Sequence, residues 1–299
     1  MAKHSSPKKV NTNAAVALLL ILLGLGVLLY PVVATQWNNY SQSRTAEEYS
    51  KLEKQAPPEV LHAAWNEAHE YNDQLDQISA GDAWTTSDDE NSPEYQRYRQ
   101  YLSVLSETDA MGRIVIPSIH SDLPIYHGTS EKALSRGVGH LYGTDLPVGG
   151  VGNGEGRHAA LSAHTGLQDA TLWDNLNKVK EGDSFYIAAG GEKLKYEVHD
   201  VRVVEPSDTS SLKREANQDL VTLITCTPYG VNTHRLLVTG HRVPMDPAEE
   251  SAFDNSDMPW QWWMWAILVG ALVIVLALIY WWRKHVHSVK EENTEDVLV

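Results

Sequence analysis

Two long apolar runs bracket this chain, and they limit where everything else can fold. Residues 14–34 carry no charged side chain, and the charge-free stretch reaches from Lys9 to Arg44. Residues 260–282 are equally free of charge. Each run is long enough to cross the roughly 30 Å hydrocarbon core of a bilayer as a helix. Tryptophans flank the second (Trp260, Trp262, Trp263 and Trp265, then Trp281 and Trp282), as suits rings seated at the headgroup level. Lys3, Lys8 and Lys9 precede the first run, while Arg283 and Lys284 follow the second. Positive flanks stay inside. We therefore expect a two-pass protein of the cell membrane, with residues 1–13 and 283–299 cytoplasmic and 35–259 extracytoplasmic. The other reading of the first run is a cleaved leader. Its length, and the lack of a small-x-small cleavage site before Gln36, favour a retained span.

The stretch between the runs is acidic, with 35 Asp and Glu against 18 Lys and Arg over residues 35–259. That argues against nucleic acid or anionic lipid as a partner; a solvated surface explains it. Cys226 is the one cysteine of the chain, so no disulfide frame exists. A lone exported thiol is either a small buried hydrophobe or a reactive group. No His or Cys pair stands at metal-ligand spacing, and the acidic loop Asp88-Asp89-Glu90 reads as solvated rather than calcium-binding. Neither metal nor cofactor is expected.

Up to about residue 110 the pattern is helical. After Pro57-Pro58, the residues Leu61, Trp65, Ala68, Leu75 and Ile78 recur at helical steps, and Gly81 is placed to end the helix. A polar loop follows. A second helix then starts at Pro93, with Tyr95, Tyr98, Leu102 and Leu105 as its apolar face. From Gly112 short β runs alternate with glycine-rich loops: 113–116, 123–126, 159–162, 184–187, 194–198, 201–204, 220–225 and 235–239. So many short strands lose their edges most simply by closing into a small barrel. Residues 245–259 read as a polar linker.

The strand 221–225 delivers Cys226 at its end, Thr227-Pro228-Tyr229-Gly230 turns the chain, and 233–238 returns. Such a hairpin sets Arg235 beside Cys226. His164 follows the strand that ends at Ser162. A thiol, an imidazole and a fixed cation supply what acyl transfer from an amide needs: nucleophile, proton carrier and oxyanion partner. His127 is the rival imidazole and Arg242 the rival clamp. His234 should point away from Arg235's face, because strand side chains alternate, and His140 reads as structural, in a Gly-x-Gly-His turn. A papain-like hydrolase would place its cysteine first, at a helix start; a non-catalytic adhesin would hold an inert thiol.

These residues resemble the sortase family of cysteine transpeptidases. Thr222-Leu223-Ile224-Thr225-Cys226 matches the family's TLxTC signature, and Arg235 falls nine residues later, as the family arginine does. Upstream, Leu123-Pro124-Ile125-Tyr126-His127-Gly128-Thr129, Gly137-Val138-Gly139-His140-Leu141, Gly143-Thr144 and Leu146-Pro147-Val148-Gly149-Gly150 look like the stretch leading to the catalytic histidine. The resemblance runs from about Gly112 to Val243. It implies a mainly β chain: a closed eight-stranded sortase-type β-barrel over residues 112–244, with N-terminal helices (35–111) and two transmembrane helices. It further implies that Cys226 attacks the threonine carbonyl of an LPxTG-like sorting signal, with His164 as acid and base and Arg235 holding the scissile carbonyl.

The second apolar span and the long region before the barrel are similar to the pilus-assembling sortases, often called class C. That class shares a lid with an Asp-Pro-aromatic motif. Gly81-Asp82-Ala83-Trp84, in the loop 81–92, resembles it, which implies that Asp82 pairs with Arg235 and that Trp84 covers Cys226. Ala83 stands where the family has proline, which loosens the backbone; a helix end followed by an exposed tryptophan is the plainer alternative. The implied partners are pilin or surface proteins bearing LPxTG-like signals. The nucleophile is a lysine amine of a pilin subunit or, in a housekeeping anchoring enzyme, the cell-wall precursor.

Overall fold

The computed structural model describes residues 12–75, 93–254 and 258–295. By backbone contacts the chain divides into two units, Gln36–Pro259 and the flanking Met1–Thr35 with Trp260–Val299. In the flanking unit, α1 (Thr12–Gln55) begins and α5 (Trp262–Glu295) runs. Both are apolar and long enough to cross a bilayer. Leu19, Leu20 and Leu23 of α1 and Val269, Leu272 and Val273 of α5 are 57–64% exposed. A core helix of a soluble protein buries such a face, so these helices are consistent with membrane anchoring. Helix α1 continues well beyond the 14–34 expected for the span.

In the other unit eight strands close into a barrel. They are β1 (Gly112–Ile116), β2 (Ser121–His127), β3 (Val138–His140), β4 (Arg157–Ser162), β5 (Ser184–Ala189), β6 (Glu192–Val204), β7 (Asp219–Thr227) and β8 (His234–Val243). Their order around the barrel is β1-β2-β3-β4-β7-β8-β6-β5. The pairs β2–β3 and β4–β7 are parallel and the rest antiparallel. The count of eight agrees with the sequence reading, but its make-up differs. The runs 194–198 and 201–204 belong to one strand, β6, which continues through a bulge. The Gly-x-Gly-His segment expected as a turn forms β3.

Side chains of alternate parity fill the barrel, among them Ile114, Leu161, Val221, Leu223, Leu236 and Val238. Phe185 and Tyr196 stack across β5 and β6 with ring centroids 5.3 Å apart. A Cβ on Gly240 would sit 2.5 Å from the Phe185 ring, so only glycine lets β8 pass that stack.

The helices α2 (Pro58–Gln74) and α3 (Pro93–Ser103) precede the barrel. Helix α2 ends at Gln74, with Leu75 extended, earlier than the expected stop at Gly81. Helix α3 docks through the expected Tyr98 and Leu102, with Leu105 just beyond it, and through Tyr101, which is fully buried. The Tyr101 hydroxyl accepts from the Gly128 amide (2.8 Å) and donates to His140 Nδ1 (3.0 Å), while His140 Nε2–H donates to the Asp145 carbonyl (2.8 Å). His140 is thus structural, as expected, but on a strand.

Burial pushes His140 down to about 4, against the opposing pull of its bond to Asp145. The unfolded chain, with a histidine pKa near ~6.5, takes up the proton first. Stability present above that value is therefore lost as pH falls towards 4, by about 3 kcal/mol from this one group. Urea midpoints at pH 7 and pH 4.5 should differ less in His140→Gln than in the natural protein.

The segment expected as a linker is docked. A 3-10 stretch, Pro247–Phe253, opens with a capping box between Asp246 and Glu249. It buries Phe253 against Val115, Tyr186 and Ala188 on the outer barrel face. Lys195 holds Glu249 at 2.6 Å beside it.

Candidate active site

The β7–β8 hairpin pairs Cys226 directly with Arg235. On β7 the core side chains are Val221 and Leu223, and strand side chains alternate between the two faces. By that parity Cys226 shares the outer face with Thr222 and Ile224. Cys226 is only partly buried and free. Arg235 lies between Cys226 of β7 and Val204 of β6. Its Nη1 donates to the carbonyls of His234 (3.2 Å) and Asn232 (3.4 Å), which folds the guanidinium over its own turn. Among the described residues no carboxylate pairs with it.

His164 reaches this place by the parallel pairing of β4 with β7, in which Ser162 faces Ile224. The Ala163 amide continues that ladder to the Ile224 carbonyl (3.1 Å), and the Thr225 hydroxyl donates to the Ala163 carbonyl (2.8 Å). Two bonds therefore fix the residue before His164 to the two residues before Cys226. Beyond it, the Trp173 amide donates to the His164 carbonyl (3.1 Å), and Asp174 accepts from the Gly166 amide (2.7 Å) and the Thr165 hydroxyl (3.1 Å). Burial raises the Asp174 carboxyl, with the Gly166 amide pulling the other way. Asn39 of α1 clamps the same loop, donating to Thr171 Oγ1 (3.0 Å) and accepting from its amide (3.1 Å).

Glu131 is a neighbour the sequence reading did not find. It starts the short helix α4 (Glu131–Leu134) and places Oε2 3.4 Å from His164 Nε2. Its side chain is 75% exposed, so water screens the attraction. Nothing in its sequence position, after the N-cap Ser130, marks it as a partner of His164.

The rivals lie elsewhere. His127 is on β2, three strands from β7 in barrel order. Its Nε2 bonds to the Val104 carbonyl at 2.7 Å, and burial lowers its pKa. Arg242 sits seven residues along β8 from Arg235, roughly 23 Å away at strand rise. It lines a cavity of about 520 Å³ with Trp65, His69, Gly150 and Asp219, at the start of β7 rather than its end. His234 is exposed at the first position of β8. Asp82 and Trp84, the lid residues implied by resemblance, lie outside the described residues, as does the loop Asp88-Asp89-Glu90. Among the described residues no group of three or more His, Cys, Asp or Glu gathers as a metal site.

Known proteins resemble this chain in sequence and fold. The family model described as Sortase domain matches residues 114–243. Sortase C-1 from Actinomyces oris is 52% identical, with a TM-score of 0.57, covering 63% of this chain and all of that one. Sortase A from Corynebacterium diphtheriae is 43% identical, with a TM-score of 0.58, covering 73% and 100%. Sortase C from Streptococcus pneumoniae, described with regard to its pilin substrate specificity, is 35% identical, with a TM-score of 0.58, covering 68% and 97%. The curated relatives are 25–30% identical, and the chain spans 47–64% of their lengths.

Proposed function

The chain belongs to the sortase family of cysteine transpeptidases, and on that footing we propose that it is a membrane-anchored pilus sortase with Cys226 as nucleophile. The Cys226 thiolate adds to the threonine carbonyl of an LPxTG-like signal, and Arg235 donates hydrogen bonds to the oxyanion that forms. A guanidinium fork suits that task better than an ammonium point charge. His164, as imidazolium, gives its proton to the glycine amine as the C–N bond breaks, leaving a thioester on sulfur. Neutral His164 then takes a proton from an incoming pilin lysine amine as it attacks the thioester. The thiolate departs and an isopeptide bond remains.

The observation that carries this reading is the register itself. Cys226 faces Arg235 across β7 and β8, while two hydrogen bonds tie the approach to His164 onto Ile224 and Thr225. For the pilus class, support comes from the likeness to two sortases C and from the second apolar helix. The cations flanking the spans support an extracytoplasmic barrel with both termini inside.

The test is to incubate the full chain in detergent with a purified pilin subunit carrying the signal. Covalent ladders that survive boiling in detergent are expected, and Cys226→Ala should abolish them. A single acyl-transfer product with a wall-precursor amine, and no ladder, would move the chain to the housekeeping alternative. The lid rests on the sequence resemblance. Asp82→Ala and Trp84→Ala are each expected to speed alkylation of Cys226 by a soluble thiol reagent; unchanged labelling removes the lid and leaves the transpeptidase reading intact.

A further inference from the structure

Away from the cysteine, two imidazoles meet on the outer barrel surface. His199 Nδ1 of β6 and His241 Nδ1 of β8 lie 3.3 Å apart, with ring centroids at 5.2 Å and planes inclined by 65°. His241 faces Glu197 across the ladder. His199 is the residue that the ladder skips, since pairing passes from Val198↔Gly240 to Asp200↔Thr239. Its place as the extra residue of a β-bulge frees its side chain from regular alternation, a device that re-aims side chains at binding sites.

Two neutral rings can share one hydrogen bond at this separation, though a long one. The spacing also matches a different bond. Two nitrogens 3.3 Å apart, each about 2.0–2.1 Å from one ion, subtend about 104–111° there, which brackets the tetrahedral angle of zinc sites. We propose that His199 and His241 form a two-histidine site for a divalent transition ion of the zinc type, closing β6 onto β8. Imidazole ligands select zinc, copper or nickel over calcium or magnesium. His158 does not complete the set. Its Nδ1 is engaged by the Lys213 carbonyl (2.8 Å) and its Nε2 by the Thr222 hydroxyl (2.7 Å). Water supplies the remaining positions. The bridge lies six residues from Arg235 on the same strand, so it stiffens the strand that carries that side chain.

The test is calorimetric titration of the untagged full chain, stripped of metal and held in detergent, with zinc chloride. The natural protein is expected to bind one equivalent more than His199→Gln or His241→Gln, or to bind that equivalent at least tenfold tighter. Zinc should raise the melting temperature of the natural protein and of neither variant, and magnesium should raise none. Both rings lie on the surface, and melting without metal checks that the variants fold. Equal zinc binding and equal thermal shifts in all three proteins overturn the site, since the zinc then sits on other groups.

Discussion

Arg235→Ala lowers kcat/KM for sorting-signal cleavage by about 10²–10³, the loss expected when a preorganised oxyanion donor is removed. Arg235 pairs with Cys226 across the β7–β8 ladder, so in the proposed reaction its side chain is within reach of the carbonyl that the sulfur attacks. Nη1 is bonded to the carbonyls of Asn232 and His234, and in the proposed reaction the fork turns from them to the oxyanion. Arg235→Lys keeps the charge and loses the planar fork, so most of the deficit should remain. Alkylation of Cys226 by a small reagent should change only a few-fold in either variant, because that reaction develops no oxyanion. The control is Arg242→Ala, on the same strand but at the other end of the barrel, where activity should stay close to normal. A comparable loss in Arg242→Ala, or full activity in Arg235→Lys, would refute the assigned clamp.

The site was readable in the sequence to the degree that it is local. A strand, a Pro-Tyr-Gly turn and a returning strand fix the Cys226–Arg235 pairing within a dozen residues, and alternation alone turns His234 away. His164 was placed by resemblance and by following a strand; the bonds that hold it there, from Thr225, Asp174 and Asn39, link distant segments and leave no local pattern. Glu131 escaped for the same reason. Strand β3 reads as a turn because its three residues follow Gly137 and include Gly139, until β2 and β4 close on either side. The bulge at His199 broke the period of β6 and made one strand read as two. Phe253 shows the limit most clearly: a single aromatic in a polar stretch reveals nothing of the face it covers until β1 and β5 come together beneath it.

Beneath that same ring lies the expected weak point of the fold. Arg113 and Asp122 are joined by two bonds of 2.7 Å, Nε to Oδ1 and Nη2 to Oδ2, with side-chain exposures of 1% and 3%. Arg113 Nη1 also donates to Ser50 Oγ of α1 (3.0 Å), and the guanidinium lies 5.7 Å from the Phe253 ring centroid. Removing one partner leaves the other charged and enclosed, so Asp122→Ala should cost about 3–5 kcal/mol. For a unit of this size that lowers the melting temperature by roughly 6–20 °C. Replacing both, Arg113→Met with Asp122→Leu, removes the stranded charge and should recover most of the loss. The pair sits on β1 and β2, four and three strands from β7 in barrel order, so turnover per titratable Cys226 should be unchanged in molecules that remain folded. Thermal melts of the two variants, read beside active-site titration, separate the outcomes. If Asp122→Ala melts with the natural protein, the pair is solvated and Phe253 does not seal it.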